Sequence, residues 1–425
     1  MFLPTDRGFR LTVDQFATAR RLWLWAMSAS GLGSAMVTLA NAYIVFDLSR
    51  SVAVTALIAA CWSLPPLVLP GVATSLVNRF GAPRTFVVRY LASAALSVIP
   101  VVLVITGHLG TVPLLIWCLL MSTTAGLFSP SAMIVKRMLA PRATLTRFNA
   151  TVTRNIALTS IVGILISGAV FATAGPLWIY VFNAVSYVLP ALAVIPLLGA
   201  GLSPDSPRQR FRSVVGLLFG SRRRRDLYAA CAFTGLGVLI GGYAVTLPAI
   251  ARSIGTSPIV LAILQVAAVG GGLLTGGALR YLRGRVGWGP IQRASFAVMG
   301  VGVLALAWAS RLDAGPTLTL VLCVIAIAPI GLALSLDEAI LNAAVHLWTP
   351  EDSQAAFFTY FALIPLIAGP VGQGVIGVVA DRASVSLALA SLGVSTLILV
   401  AVAPRFRLRA EFDEMSRAEE PPTAG

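Results

Sequence analysis

Charged residues are scarce in this sequence. They make up 11% of the 425 residues, whereas 57% of the residues are hydrophobic and the mean hydropathy is +0.89. A soluble domain carries about 25% charged residues, so a water-soluble globular fold is excluded. The hydrophobic runs are continuous rather than alternating, which argues against a transmembrane β-barrel. We therefore predict an all-α membrane protein.

Groups suited to enzymatic or metal chemistry are also few. The two histidines have no ligand set beside them in the sequence. The four cysteines lie far apart, with neither disulfide nor metal-site spacing: Cys61, Cys118, Cys231 and Cys323. No Gly-Lys-Ser/Thr phosphate-binding loop occurs, so ATP is not the expected energy source. No candidate nucleophile and no histidine–acid set is found at either membrane face. We therefore expect no enzyme activity, no cofactor and no metal.

The dominant feature of the chain is a set of twelve hydrophobic runs. Each holds about 20–27 residues, enough to cross a hydrocarbon core ~30 Å thick as a helix. They lie at 21–46, 52–77, 84–107, 111–135, 148–173, 176–200, 227–251, 258–281, 289–311, 315–345, 354–380 and 383–404. The sequence therefore predicts twelve transmembrane helices.

Basic residues are distributed unevenly between the two sets of loops. Of 31 basic residues, 24 fall in the terminal segments and in the loops after even-numbered runs, and four fall in the opposite loops. This is the positive-inside bias. It predicts a multi-pass protein of the bacterial inner (cytoplasmic) membrane with both termini in the cytoplasm. The net charge of +15 is then explained by contact with membrane lipids, and nucleic-acid binding is not expected.

The two halves of the chain share a motif. Gly, Thr and Arg recur at identical spacing in 71–79 and 272–280, each time at the end of a hydrophobic run. Duplicated bundles are a common architecture of secondary transporters. We therefore predict two pseudo-symmetric six-helix bundles, 1–200 and 227–404. A cytoplasmic basic linker, 201–226, joins them, and a disordered cytoplasmic tail, 405–425, follows.

The loop after the second run resembles the G-x-x-x-D-R-x-G-R-R signature of the major facilitator superfamily. Arg79 and Gly81 keep their spacing to Asn78, which stands where the family has Asp, and Gly71 and Arg84 flank them. The resemblance covers essentially the whole chain and implies alternating access by rocking of two bundles. In that family the Asp pairs with basic groups and latches the outward-facing state, so Asn78 implies a weaker latch.

Other stretches resemble the macrolide-efflux and siderophore-exporter branch of the drug–proton antiporters. They are 41–51, 128–149 and 182–187. Drug antiporters often have a glycine-rich stretch in helix five. Similar stretches occur here in helices five and eleven, with the helix-packing residues Gly163, Gly168, Gly369 and Pro370. The Arg that many drug–proton antiporters carry in helix four is absent. The resemblance implies proton-coupled export of a drug-like or natural-product small molecule, and we expect a monomer.

Two acidic residues sit deep inside a predicted span. Asp337 and Glu338 lie 12–13 residues before Pro350, roughly 18–20 Å along a helix and so near the bilayer midplane. An ionisable residue at this depth marks a functional site by default, and both are candidates for proton coupling. The alternative is a structural pair with Arg154 or Arg293. Because adjacent helical residues point about 100° apart, at most one acid is expected to face the cavity fully.

Polar and aromatic residues in the spans are candidates for lining a central substrate cavity. They are Ser30, Ser34, Asn41, Trp62, Trp117, Asn155, Tyr243, Gln265, Tyr360 and Gln373, besides Asp337. A large cavity with few charges suits bulky amphipathic molecules better than sugars. A cationic substrate would neutralise the acids of helix ten, whereas an anionic siderophore would require an inward-facing Arg154 or Arg293. An importer, or a transport-impaired scaffold or sensor, is the alternative function.

Overall fold

The computed structural model describes residues 13–140, 145–198, 235–282, 285–286, 288–312, 314–348 and 351–402. Within these ranges the regular elements are all helices. The predicted all-α fold is therefore confirmed. The predicted linker 201–226 and tail 405–425 lie outside the described residues.

Eight α-helices form the first half of the chain. They are α1 (Val13–Ser49), α2 (Val52–Val68), α3 (Pro70–Phe80), α4 (Ala82–Ile105), α5 (Thr111–Leu127), α6 (Ser129–Met138), α7 (Leu145–Ala174) and α8 (Leu177–Val194). Two pairs are broken spans, since α2 and α3 meet at 59° and α5 and α6 at 46°. A proline at the start of both α3 and α6 explains why each helix restarts there.

Seven helices follow in the second half. They are α9 (Gly235–Ile254), α10 (Pro258–Leu273), α11 (Thr275–Leu282), α12 (Trp288–Ala309), α13 (Pro316–Trp348), α14 (Glu351–Arg382) and α15 (Val385–Val402). The middle of α9, Gly241–Thr246, is a 3₁₀ stretch. In the described ranges ten helices or continuous spans can cross a membrane, and there are twelve if each bent pair is one span. This agrees with the twelve predicted runs.

The chain divides into two compact units. Unit 1 comprises 1–50, 57–206 and 257–262, and unit 2 comprises 51–56, 207–256 and 263–425. The first turn of α2 is thus counted with unit 2, and the first turn of α10 with unit 1. The predicted bundle boundaries remain a prediction.

Large hydrophobic side chains cover the outside of the helices. Trp25 is 76% exposed and Ile105 is 68% exposed. Polar side chains such as Asn41, Ser97 and Gln292 are instead buried. This distribution is the reverse of a soluble protein's and fits a surface in contact with lipid.

Glycines allow very close helix crossings in each unit. In unit 1, a Cβ added at Gly126 of α5 would lie 3.1 Å from the backbone nitrogen of Pro66 in α2. In unit 2, a Cβ at Gly271 of α10 would collide with the carbonyl oxygen of Ala328 in α13. Small residues let membrane helices approach at backbone distance, so these glycines set the spacing of the helices.

Prolines inside two spans leave backbone carbonyls without their helical partner, because proline has no N–H. Pro100 leaves the carbonyl of Leu96, and the indole Nε1–H of Trp117 donates to that oxygen at 2.8 Å. Pro66 leaves the carbonyl of Trp62, and the hydroxyl of Ser122 donates to it at 2.6 Å. Side chains of α5 therefore complete the backbone hydrogen bonding of α4 and α2.

The crossing of α10 and α13 predicts opposite effects at two neighbouring glycines. Gly271→Ala places a methyl group on the Ala328 carbonyl and should lower the stability of unit 2 by about 1–3 kcal/mol. Gly270 has no atom within 4 Å of an added Cβ, so Gly270→Ala should be neutral or stabilise by up to about 1 kcal/mol. Thermal unfolding of purified protein in detergent measures both. Equal melting temperatures for the two variants would contradict this crossing.

The Trp117 bond predicts a non-additive pair of substitutions. Trp117→Phe removes the indole donor and leaves the partly buried Leu96 carbonyl unpaired, at a cost of about 1–3 kcal/mol. In a Pro100→Ala background the new N–H pairs with that carbonyl, so Trp117→Phe should cost less there. A double-mutant cycle of unfolding free energies isolates this coupling. Additive costs would mean that Trp117 contributes by packing alone.

Candidate functional site

A buried carboxyl group lies in the interior of unit 2. Asp337 is on α13 and its side chain is 4% exposed. Gln292 on α12 is equally buried, and its Nε2 donates to Asp337 Oδ1 at 3.0 Å. The two residues are 45 positions apart, so only the packing of α12 on α13 brings them together. Gln292 was not among the residues predicted for this site.

The third side of this carboxyl group is formed by α9. A Cβ added at Gly237 would lie 2.8 Å from Asp337 Oδ2 and 3.6 Å from Phe296 Cζ. The missing side chain at Gly237 therefore provides the space that Oδ2 occupies. We call Gly237, Gln292 and Asp337 the carboxyl site.

Basic groups do not neutralise Asp337 in the described part of the chain. Arg293 follows Gln292 on α12 but forms no ion pair with Asp337. Arg154 is exposed on α7 in unit 1. Glu338 is exposed, in contrast to its neighbour.

Within the described residues no group of three or more His, Cys, Asp or Glu side chains is suited to a metal ion. A carboxyl group in such a site can bind and release a proton.

Asn41 is buried in the interior of unit 1 and forms a hydrogen bond through each end of its side-chain amide. Its Nδ2 donates to Cys118 Sγ at 3.6 Å, and its Oδ1 accepts from Tyr180 Oη at 2.8 Å. The ring of Trp117 packs edge-on against Tyr180, with centroids 5.9 Å apart. These residues of α1, α5 and α8 form a buried polar cluster.

The other cavity candidates lie in varied surroundings. Ser34 shares a hydrogen bond of 3.1 Å with Tyr187. Ser30 and Tyr243 are buried, Trp62 is 36% exposed, and Asn155, Gln265 and Gln373 are partly buried on α7, α10 and α14. Tyr360 is on α14, and its side chain lies outside the described part.

The predicted gate motif lies at the junction of α3 and α4. Gly71 and Asn78 are exposed on α3, and the guanidinium of Arg79 lies 5.3 Å from the ring centre of Phe80. Gly81 has φ of 84°, a left-handed conformation that favours glycine. Arg84 is exposed in the first turn of α4.

The predicted packing glycines of helix five make close contacts. A Cβ at Gly163 would lie 2.6 Å from the carbonyl oxygen of Leu32, and one at Gly168 would lie 2.7 Å from Ala262 Cβ. Gly369 is less restricted, since the nearest atom, in Val238, is 3.5 Å away. Pro370 lies within α14, partly buried.

Solved structures of several transporters have the same fold. A bacterial homologue of the iron transporter ferroportin, in an inward-facing state, is 14% identical with a TM-score of 0.71, and the match covers 92% of this chain and 99% of that one. The nucleoside transporter NupG is 13% identical with a TM-score of 0.66, covering 91% and 99%. A bacterial homolog of the human lysosomal transporter Spinster is 13% identical with a TM-score of 0.62, covering 97% and 100%.

A search of the curated proteins finds no match. A family model described as "Transmembrane secretion effector" matches residues 13–423, nearly the whole chain. The chain therefore belongs to this family of major facilitator superfamily transporters, and it is a multi-pass membrane transporter.

Proposed function

We propose that the protein is a proton-coupled secondary active exporter of a bulky, amphipathic natural product or drug, macrolide- or siderophore-like. The observation that carries this proposal is the buried Asp337. A carboxyl group at this depth is energetically expensive. A purely structural role calls for a basic partner, and none pairs with Asp337 in the described residues.

The geometry of the carboxyl site favours a proton over a bulky cation as its ligand. Asp337 Oδ1 accepts from Gln292, and Oδ2 lies against Gly237. With 4% of the side chain exposed, a drug-sized molecule has no path to either oxygen in this conformation. We infer that the substrate binds elsewhere and that Asp337 couples its movement to proton flow.

The proposed substrate class, a bulky amphipathic molecule, is supported by the composition of the spans more than by any single contact. The spans carry few charges, which suits a large amphipathic molecule. The family's description as a secretion effector supports outward transport. The structural neighbours include a nucleoside transporter and an iron-transporter homologue, so the shared fold does not select the substrate. The alternative functions are import of a small metabolite and a transport-impaired scaffold.

The distribution of basic residues supports the proposed membrane orientation. Arg79 and Arg84 lie exposed near the α3–α4 junction, and Arg280 is in the last turn of α11. On the positive-inside rule these ends face the cytoplasm of a bacterial inner membrane, as do both termini. The protein acts as a monomer surrounded by lipid.

Proton coupling predicts opposite results for two adjacent acids. Asp337→Asn should reduce substrate-induced proton movement to the level of empty liposomes, because an amide cannot exchange the proton. Glu338→Gln, the matched control at an exposed neighbour, should retain it. The measurement uses purified protein in proteoliposomes with a pH-sensitive dye inside, a panel of macrolides and siderophores, and an imposed proton gradient.

Other outcomes would contradict the proposal. Full proton movement in Asp337→Asn would remove this residue from coupling. Proton-independent transport by the unaltered protein would point to another driving ion. If no compound of the panel moves protons or is itself transported, the scaffold alternative is favoured. Size-exclusion profiles of both variants exclude misfolding as the cause of a loss.

A further inference from the structure

An apolar groove runs along the surface of unit 2 between α12 and α13. Its lining residues lie within 297–309 of α12 and 322–329 of α13, and its volume is about 410 Å³. Every lining residue is hydrophobic or glycine. Val301, Trp308 and Ile325 of the lining are exposed, so the groove opens toward the surroundings of the helices. We call it the α12–α13 groove.

The groove follows from the close crossing of its two helices. A Cβ added at Gly302 of α12 would lie 2.6 Å from Cγ1 of Ile330 and 3.1 Å from the carbonyl oxygen of Ala326, both in α13. Ala305 is the next lining residue on α12. Because short side chains stand at the crossing where longer ones would fill the space, a furrow remains above it.

The membrane limits what can fill such a furrow. Water is absent from the hydrocarbon core, and an empty space would lose the dispersion contacts of its whole lining. The lining spans 297–309 of α12, which is about 18 Å at ~1.5 Å per residue. Half of a hydrocarbon core is ~15 Å deep. The acyl chain of a lipid in one leaflet therefore matches the groove in chemistry and in length.

A basic residue lies at one end of the groove. Arg311 follows Trp308 by about one turn, and its backbone N–H donates to the Trp308 carbonyl at 3.0 Å. Arg311 is exposed, and its side chain forms no ion pair within the part of the chain that the structure describes. It is one of the four basic residues in the set of loops that carries few of them. The groove thus has a cation at its end and an apolar lining along its length.

The turn that carries Arg311 is attached to α13. The N–H of Leu312 donates to the carbonyl of Ala309 at 3.2 Å. Thr319 of α13 is buried, and its Oγ1 donates to the carbonyl of Leu312 at 3.3 Å. The backbone beside Arg311 is therefore held against the first turn of α13, at the same end of the groove as Trp308.

We propose that the α12–α13 groove binds an anionic phospholipid, with the phosphate on the guanidinium of Arg311 and one acyl chain along the groove past Trp308. A guanidinium binds phosphate oxygens through paired N–H donors, and Trp is typical of the level where headgroups meet hydrocarbon. The charge of Arg311 selects the headgroup, and the furrow holds the chain. This site goes beyond the proposed function, because it requires neither a transported substrate nor a coupling proton.

Quenching of tryptophan emission by brominated lipid tests this site, because bromine quenches an indole at contact distance. The contribution of Trp308 is the difference between the unaltered protein and Trp308→Phe. Trp178 of α8 is the matched reporter, since the two residues are 60% and 58% exposed and no charged residue lies within 171–182. Purified protein is placed in phosphatidylcholine nanodiscs with a rising fraction of phosphatidylglycerol brominated on its acyl chains. We expect half-quenching of Trp308 at a severalfold lower fraction than that of Trp178.

Variants of the groove and of its basic end separate a binding site from ordinary contact with lipid. Arg311→Gln should raise the fraction for half-quenching of Trp308 roughly fivefold, the contribution of one basic residue near an anionic membrane surface. Arg311→Lys keeps the charge and should retain most of the preference. Ala305→Leu fills the furrow and should abolish the preference of Trp308 over Trp178. Ala294→Leu, the same change at an exposed position of α12 outside the lining, should preserve it.

Four results would overturn the proposal. They are equal half-quenching of Trp308 and Trp178 in the unaltered protein, an unchanged value in Arg311→Gln, an unchanged value in Ala305→Leu, and equal quenching of Trp308 by brominated phosphatidylcholine. The last result would mean contact with bulk lipid only. A dimer in which neither lipid quenches Trp308 would instead identify a second copy of the chain as the occupant.

A second measurement keeps the test decisive if Arg311→Gln does not yield monodisperse protein. Native mass spectrometry of the unaltered protein, mixed with equal amounts of phosphatidylglycerol and phosphatidylcholine, counts the lipids that remain bound. We expect one phosphatidylglycerol to be retained in preference to phosphatidylcholine, and Ala305→Leu to lose that preference. Equal retention of the two lipids would contradict an anionic site.

Discussion

The absence of water from the membrane interior is the constraint on which the rest of this structure depends. Every backbone N–H and C=O in the hydrocarbon region has to be paired within the protein. Helices satisfy most of these groups, and the exceptions are created by prolines and helix starts. Trp117 and Ser122 pair with carbonyls that Pro100 and Pro66 leave free. These two polar side chains of the spans therefore complete the backbone hydrogen bonding.

This constraint accounts for some of the polar residues in the spans by structure alone. Trp117 was a candidate for substrate contact, yet its indole serves the Leu96 carbonyl. Asp337 and Gln292 differ, because their bond joins two side chains and satisfies no backbone group. A hydrophobic pair of similar volume would pack there without the expense of burying a carboxyl group. The proposed proton exchange would account for an acid at such a position.

Hydropathy and charge were sufficient to predict the helices. Depth within a run singled out Asp337 together with Glu338 and did not indicate that only Asp337 is buried. The bends after Val68 and Leu127 were not predicted, because a single hydrophobic run continues across each. Gln292 and Asp381 were also missed, since their partners, Asp337 and the backbone N–H of Val52, lie 45 and 329 residues away and no local pattern signals such a contact. A proline four residues after a carbonyl is, however, a local signal that could have predicted the need for Trp117 and Ser122.

The duplicated halves have diverged at the points where charge is placed. Helices α2 and α10 both start after a serine, but α10 has Pro258 where α2 has Val52, so α10 lacks the first-position N–H that the Asp381 carboxylate binds in α2. Likewise the buried acid of the described residues, Asp337, lies in unit 2. A repeated fold supplies two similar sets of helices. On the proposal that Asp337 exchanges a proton, its position in unit 2 gives the second half a buried titratable carboxyl group that the described residues of unit 1 do not have.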